Sequence, residues 1–136
     1  MSTSTITPRT LLSTLTDLRT ALSLDSIVTG LNGAAYLAAG SILDDVLGLP
    51  ASVLRAVGAF LLAYAIAVWA IRSTRTISRP FVYGVVVANG AWAVGSIIVA
   101  IAGWHSPTAI GTVWIVAQAA VVAAFAELQV IALRRR

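Results

Sequence analysis

Four apolar stretches, each long enough to cross a lipid bilayer, constrain this chain more than anything else in its sequence. They cover 26–43, 51–71, 81–102 and 109–133. At 1.5 Å per helical residue the shortest reaches about 27 Å, close to a hydrocarbon core of about 30 Å. Only 10% of the residues are charged and 59% are hydrophobic, whereas a soluble domain carries about 25% charged residues. So few charges cannot cover a water-facing surface. The sequence therefore predicts an all-α polytopic protein with four transmembrane helices in one bundle. The stretches are joined by short links, which force neighbouring helices to run antiparallel. Pro8, Pro50, Pro80 and Pro107 all fall where a predicted helix starts and none falls inside a span. A proline there loses no helical hydrogen bond.

Three segments follow: 1–25, a tail and amphipathic segment; 26–133, the membrane domain; and 134–136, a basic end. Leu11, Leu15, Leu18 and Leu22 lie on one helical face with Arg9, Asp17 and Arg19 between them. That segment either lies flat in the membrane interface or extends the first span. The first residues have neither the apolar core nor the cleavage site of a signal peptide.

All nine basic residues are arginine. Eight (Arg9, Arg19, Arg72, Arg75, Arg79, Arg134, Arg135 and Arg136) fall to one side of the predicted spans, and only Arg55 to the other. The positive-inside rule makes the rich side cytoplasmic, with both termini there, in a multi-pass cell-membrane protein. Their place at span boundaries accounts for the high pI without nucleic acid as a partner; the expected partners are the bilayer and a homo-oligomer or larger membrane complex. A shift of 57 residues superposes Asn32-Gly33-Ala34 on Asn89-Gly90-Ala91 and Pro50 on Pro107. This suggests a duplicated helical hairpin.

Polar residues inside spans need a reason, because hydrocarbon penalises them. Glu127 shares a helix face with Ala120, Ala123 and Ala124, which suggests that it points inward. It would be either a proton or cation site, or a structural partner of Arg72 or of hydroxyl and amide groups on a neighbouring helix. Asn32 and Asn89 each precede glycine and would bond between helices or pair as a ligand-binding amide site. Arg55 would form a salt bridge with Asp44 or Asp45, or hold a lipid phosphate. Gln118 follows Trp114 on a stripe with Val122, Phe125 and Gln129, which either packs or lines a cavity for a quinone or lipid-like ligand.

Enzymatic chemistry lacks parts. There is no cysteine, one histidine (His105, in a predicted loop) and one methionine, Met1, so neither thiolate metal sites nor haem ligation is expected. No phosphate-binding or dinucleotide glycine motif and no Gly-x-Ser-x-Gly occurs. No catalytic residue, cofactor or metal is expected. Asn32-Gly33-Ala34-Ala35-Tyr36, Leu47-Gly48-Leu49-Pro50 and Phe125-Ala126-Glu127-Leu128-Gln129 resemble segments of small integral membrane proteins of actinobacteria, whose plan is similar to DoxX-like four-helix proteins. The resemblance implies the fold and brings no catalytic residues with it. The small multidrug-resistance exporters share the length and span count. Their membrane-embedded Glu lies in the first span, which here has no Glu and has Asp25 only at its predicted edge.

Two readings remain. One is a non-catalytic subunit that packs with itself or a partner. The other is a small transporter or ligand-binding protein using Glu127, Gln118, Asn32 and Asn89. A cavity holding both Glu127 and Gln118 would favour the second, and a filled interior with an apolar outer groove the first.

Overall fold

The computed structural model describes residues 17–135, so the tail, Pro8 and the first half of the leucine face lie outside the described residues. The described residues form an all-helical fold: α1 (Leu18–Ala38), α2 (Gly40–Leu47), α3 (Ala51–Arg72), α4 (Arg79–Ala102) and α5 (Ala109–Arg134). Helices α3, α4 and α5 are each long and apolar enough to cross a membrane, and α1 with α2, bent by 95°, passes the same test as one broken span, making four.

The first span differs most from its prediction. It starts at Leu18 rather than 26, capped by the Asp17 carboxylate, which accepts from the Thr20 amide at 3.2 Å. Its 21 residues measure about 32 Å. Leu18 and Leu22 are buried in the core, so from residue 18 the amphipathic face extends the span. Hydropathy misplaces this boundary because Asp25, Ser26 and Thr29 of α1 point into the bundle, Asp25 and Ser26 bonding to other helices and Thr29 to Asp25. At the other end the helix breaks at Ala39 and α2 turns aside. Gly48 ends α2 at φ +73°, and a Cβ there would stand 2.7 Å from the Thr108 nitrogen. Thr108 holds the end of α2, its amide donating to the Leu47 carbonyl at 2.9 Å and its hydroxyl to that of Val46 at 2.7 Å. The same hydroxyl caps α5 by accepting from the Gly111 amide. Pro80 stands in the first turn of α4, while Pro50 and Pro107 come just before their helices.

Helix α1 lies along α3, α4 along α5, and α1 also meets α5; α3 and α4 are the more weakly joined neighbours. The α1–α3 crossing is a glycine contact. A Cβ on Gly33 would meet the Gly58 carbonyl at 2.8 Å, and one on Gly58 would meet that of Gly33 at 2.7 Å. Near the arginine-rich end, Leu18, Leu22, Val68, Ile77, Val82 and Leu133 form a buried apolar plug. Arg19 closes the C-terminal end of α3 by donating to the carbonyls of Arg72, Thr74 and Arg75. Carbonyls there have no helical partner, so a guanidinium suits them.

The packing does not repeat with the 57-residue shift. Gly33 is pressed against α3, while Gly90 has open space where its Cβ would be. Asn89 is buried and Asn32 only half-buried. Sequence likeness between the two hairpins is not matched by equivalent surroundings.

Candidate functional site

The buried polar residues of α1 are Asp25, Ser26 and Thr29. They share a turn and face the other three long helices. Asp25 is fully buried, seven residues into α1 and thus about 10 Å along it. Ser26 donates to the Ala65 carbonyl of α3 at 2.7 Å, which fixes α1 against the turn bearing Tyr64. Val82, Val85 and Asn89 recur at helical spacing as the buried face of α4, and Gln129, fully buried, comes from α5.

These side chains meet around one carboxylate. Asp25 Oδ2 accepts from Asn89 Nδ2 at 2.7 Å, Gln129 Nε2 at 2.8 Å and the Tyr64 hydroxyl at 3.3 Å. Oδ1 accepts from the Thr29 hydroxyl at 3.0 Å. Asn89 Nδ2 also donates to Gln129 Oε1 at 3.1 Å, and Asn89 Oδ1 lies 3.0 Å from the Tyr64 hydroxyl. Each of the four long helices supplies a member. No buried side-chain nitrogen or oxygen among the described residues is left without a partner. An acidic side chain at the centre of a membrane costs about 2.5–3.5 kcal/mol even on the lenient insertion scale. Here no arginine bonds to Asp25, and donors alone offset that cost. Hydrogen bonds to a charged acceptor are roughly twice as strong as neutral ones.

The residues singled out in the sequence do not converge. Glu127 is exposed on the outer side of α5 beside Ala126, Val130 and Ile131, with no partner among the described residues. The inward placement and the Arg72 pairing are therefore both corrected. The cause is angular: Gln129, two positions on and about 200° around the helix, takes the inner face, and Ala120 and Ala124 go outward with Glu127. Arg72 instead donates to Ser23 at 2.8 Å and stacks over Trp69 at 4.5 Å. Glu127→Gln should accordingly change unfolding free energy by less than about 0.5 kcal/mol, as for surface sites free of special contacts; a loss above about 1 kcal/mol in detergent unfolding would refute this placement.

Gln118 accepts from Trp92 Nε1 at 2.9 Å and donates to the Ile115 carbonyl, so its amide is used in packing. Trp92 stacks on Phe60, with 6.0 Å between ring centroids, and Trp114 Nε1 donates to the Tyr36 hydroxyl at 2.7 Å. Of the two asparagines only Asn89 reaches the carboxylate, so they form no joint amide site. Arg55 is exposed and donates to Ser41 at 2.9 Å, while Asp44 accepts from the Ala51 amide at the start of α3. The Arg55–Asp44 salt bridge is thus replaced by two separate bonds. Among the described residues no group of three His, Asp or Glu could hold a metal ion.

Of the cluster, sequence patterning singles out Asn89 and places Gln129 only on the Gln118 stripe; Asp25, Thr29 and Tyr64 are not marked by it as site residues. A signal was present. The spacing 18, 22, 25, 29, 33, 36 continues the leucine face through Asp25 and Thr29, and every residue on it is buried.

The fold and this site define a multi-pass α-helical membrane protein with a buried carboxylate at its centre. No family model matches the chain, and neither a curated protein nor a solved structure shows significant similarity to it.

Proposed function

We propose that the protein is a non-catalytic subunit of the cell membrane that packs against a second copy of itself through the outer sides of α4 and α5. The observation that carries this reading is the uneven burial of α4. Its buried residues, Val82, Val85 and Asn89, all precede Gly90. Beyond them α4 and α5 border an open apolar groove of about 400 Å³, lined among others by Ala93, Val94, Ile97, Ala120 and Ala123. Lipid tails are as apolar as side chains, so helices associate in a bilayer where small residues let backbones approach. A twofold pair would bring the same groove from each copy together. The likeness of plan to DoxX-like proteins belongs to the same proposal.

The chain has no cysteine, so a single introduced thiol reports one position cleanly. Ala120→Cys should give a disulfide-linked dimer in native membranes, and Ile66→Cys, exposed on α3, should not. A monomer in both the oxidised membranes and mild-detergent mass spectrometry would remove the reading.

The arginine bias supports cytoplasmic termini. Reporter fusions after residues 76 and 136 should both report cytoplasm, and one at residue 105 the outside. An external C-terminus would require an odd number of crossings and would overturn the four-span arrangement.

A further inference from the structure

We infer that Arg72, held by Ser23 and Trp69, binds the phosphate group of an anionic phospholipid at the arginine-rich end of the α1–α3 pair. This reading goes beyond the packing role and does not depend on it. A guanidinium presents its N–H donors in one rigid plane. The Arg72 Nε–H goes to the Ser23 hydroxyl oxygen at 2.8 Å. Ser23 can accept there because its own proton goes to the Arg19 carbonyl at 2.7 Å. The Trp69 ring, about one turn earlier on α3, lies against the guanidinium, 4.5 Å from its central carbon. The group is thus fixed both within its plane and across it. Its outer edge is left over. Nη1 and Nη2 have no acceptor, and Arg72 has no carboxylate partner, among the described residues. No buried side-chain nitrogen there lacks a partner, so both open onto the surface. A pair of parallel N–H groups held in this way matches two oxygens of a phosphate.

The surroundings favour an anion. No Asp or Glu occurs between Asp45 and Glu127. The end of α3 would by itself repel an anion, since a helix C-terminus carries about half a negative charge. Arg19 covers that end by donating to the carbonyls of Arg72, Thr74 and Arg75. Asp17 is engaged in capping α1, and Glu127 is exposed on α5. Arg75 and Arg79 are both exposed just beyond Arg72. The ammonium of a zwitterionic headgroup would meet their charge, and an anionic headgroup has no ammonium to bring.

The rest of the ligand follows from the face beside the open edge. Ile27, one turn after Ser23 on α1, and Ile66, about one turn before Trp69 on α3, are both exposed. They offer an apolar flank to an acyl chain running from the phosphate into the membrane. An exposed indole suits the level where headgroups begin. A soluble phosphate gains nothing from this flank, so the occupant is a lipid.

The test titrates the full chain in mild detergent with phosphatidylglycerol or phosphatidylcholine and reads binding by native mass spectrometry. One phosphatidylglycerol should bind in preference to phosphatidylcholine. Arg72→Gln should weaken that binding about tenfold, as expected for losing hydrogen bonds to a charged group. Arg72→Lys keeps the charge but lacks the fork, and should weaken it nearly as much. Ser23→Ala keeps the whole guanidinium and removes its anchor, so it should weaken binding in part. That variant carries the test if the Arg72 variants fail to fold. Arg55, 17 residues earlier on α3 and thus about 26 Å away, is the control for net charge: Arg55→Gln should leave binding unchanged. Full binding in Arg72→Lys or in Ser23→Ala, or an equal loss in Arg55→Gln, would overturn the site in favour of bulk charge. Equal binding of phosphatidylcholine would overturn the anionic headgroup. Displacement of the lipid by glycerol phosphate at equal concentration would overturn the lipid in favour of a soluble phosphate.

Discussion

Asn89→Leu should destabilise the bundle by about 2–4 kcal/mol, and Asn32→Leu by less than about 1 kcal/mol. Interhelical hydrogen bonds in membranes average about 0.6 kcal/mol and reach about 1.7. Asn89 forms three such contacts at once, to Asp25, Gln129 and Tyr64. One of these is to the carboxylate, and its removal leaves a buried acid short of a donor, which costs more than the bond itself. Leucine cannot replace any of the three. Asn32 is half-buried and stands beside Tyr36, outside the Asp25 cluster, so its replacement loses little. Unfolding of both variants by detergent titration in mixed micelles measures the difference. Equal costs would mean that the four-helix network does not hold the bundle together as its geometry implies.

The contrast between the two asparagines shows what the sequence could and could not disclose. Spans two, three and four were legible to within a few residues, because a lipid-facing helix must be apolar around most of its circumference. α1 was harder. Asp25, Ser26 and Thr29 lower its average hydropathy, yet all three are buried. An average over a window counts residues and ignores direction. Asp25 therefore looked like a boundary marker when it was an interior side chain. The periodic face from Leu18 through Leu22 held the missing directional information, since its next two steps are Asp25 and Thr29. Glu127 failed for the opposite reason. Small neighbours suggest an inner face, but Ala120 and Ala124 are exposed. Small residues mark a surface that allows close approach, and here that surface is outside. Nothing in sequence spacing tells an inner small-residue face from an outer one. That requires knowing which side of α5 meets α1, and Gln129, not Glu127, lies there.

Gly33→Ala should cost at least about 2 kcal/mol, while Gly90→Ala should be neutral or stabilise by up to about 1 kcal/mol. The 57-residue shift makes these two glycines equivalent; the packing does not. A methyl group on Gly33 would stand 2.8 Å from the Gly58 carbonyl and 2.9 Å from the Leu62 nitrogen. Both are backbone atoms that cannot rotate away, so α1 and α3 must separate. Forcing extra volume into a closely packed contact typically costs about 1–3 kcal/mol, occasionally more. Here the separation also stretches the Ser26–Ala65 bond and the reach of Tyr64 to Asp25, which places the cost in the upper part of that range. At Gly90 nothing lies within 4 Å of the added methyl, and alanine is the better helix former by roughly 0.5–1 kcal/mol. Opposite signs in the same unfolding assay would show that α1 and α3 depend on backbone contact while this face of α4 has room to spare. A loss at Gly90 as large as that at Gly33 would mean that α4 meets a close neighbour there in the membrane. None of the described residues of this chain reaches that position, as a second copy packed on this face would.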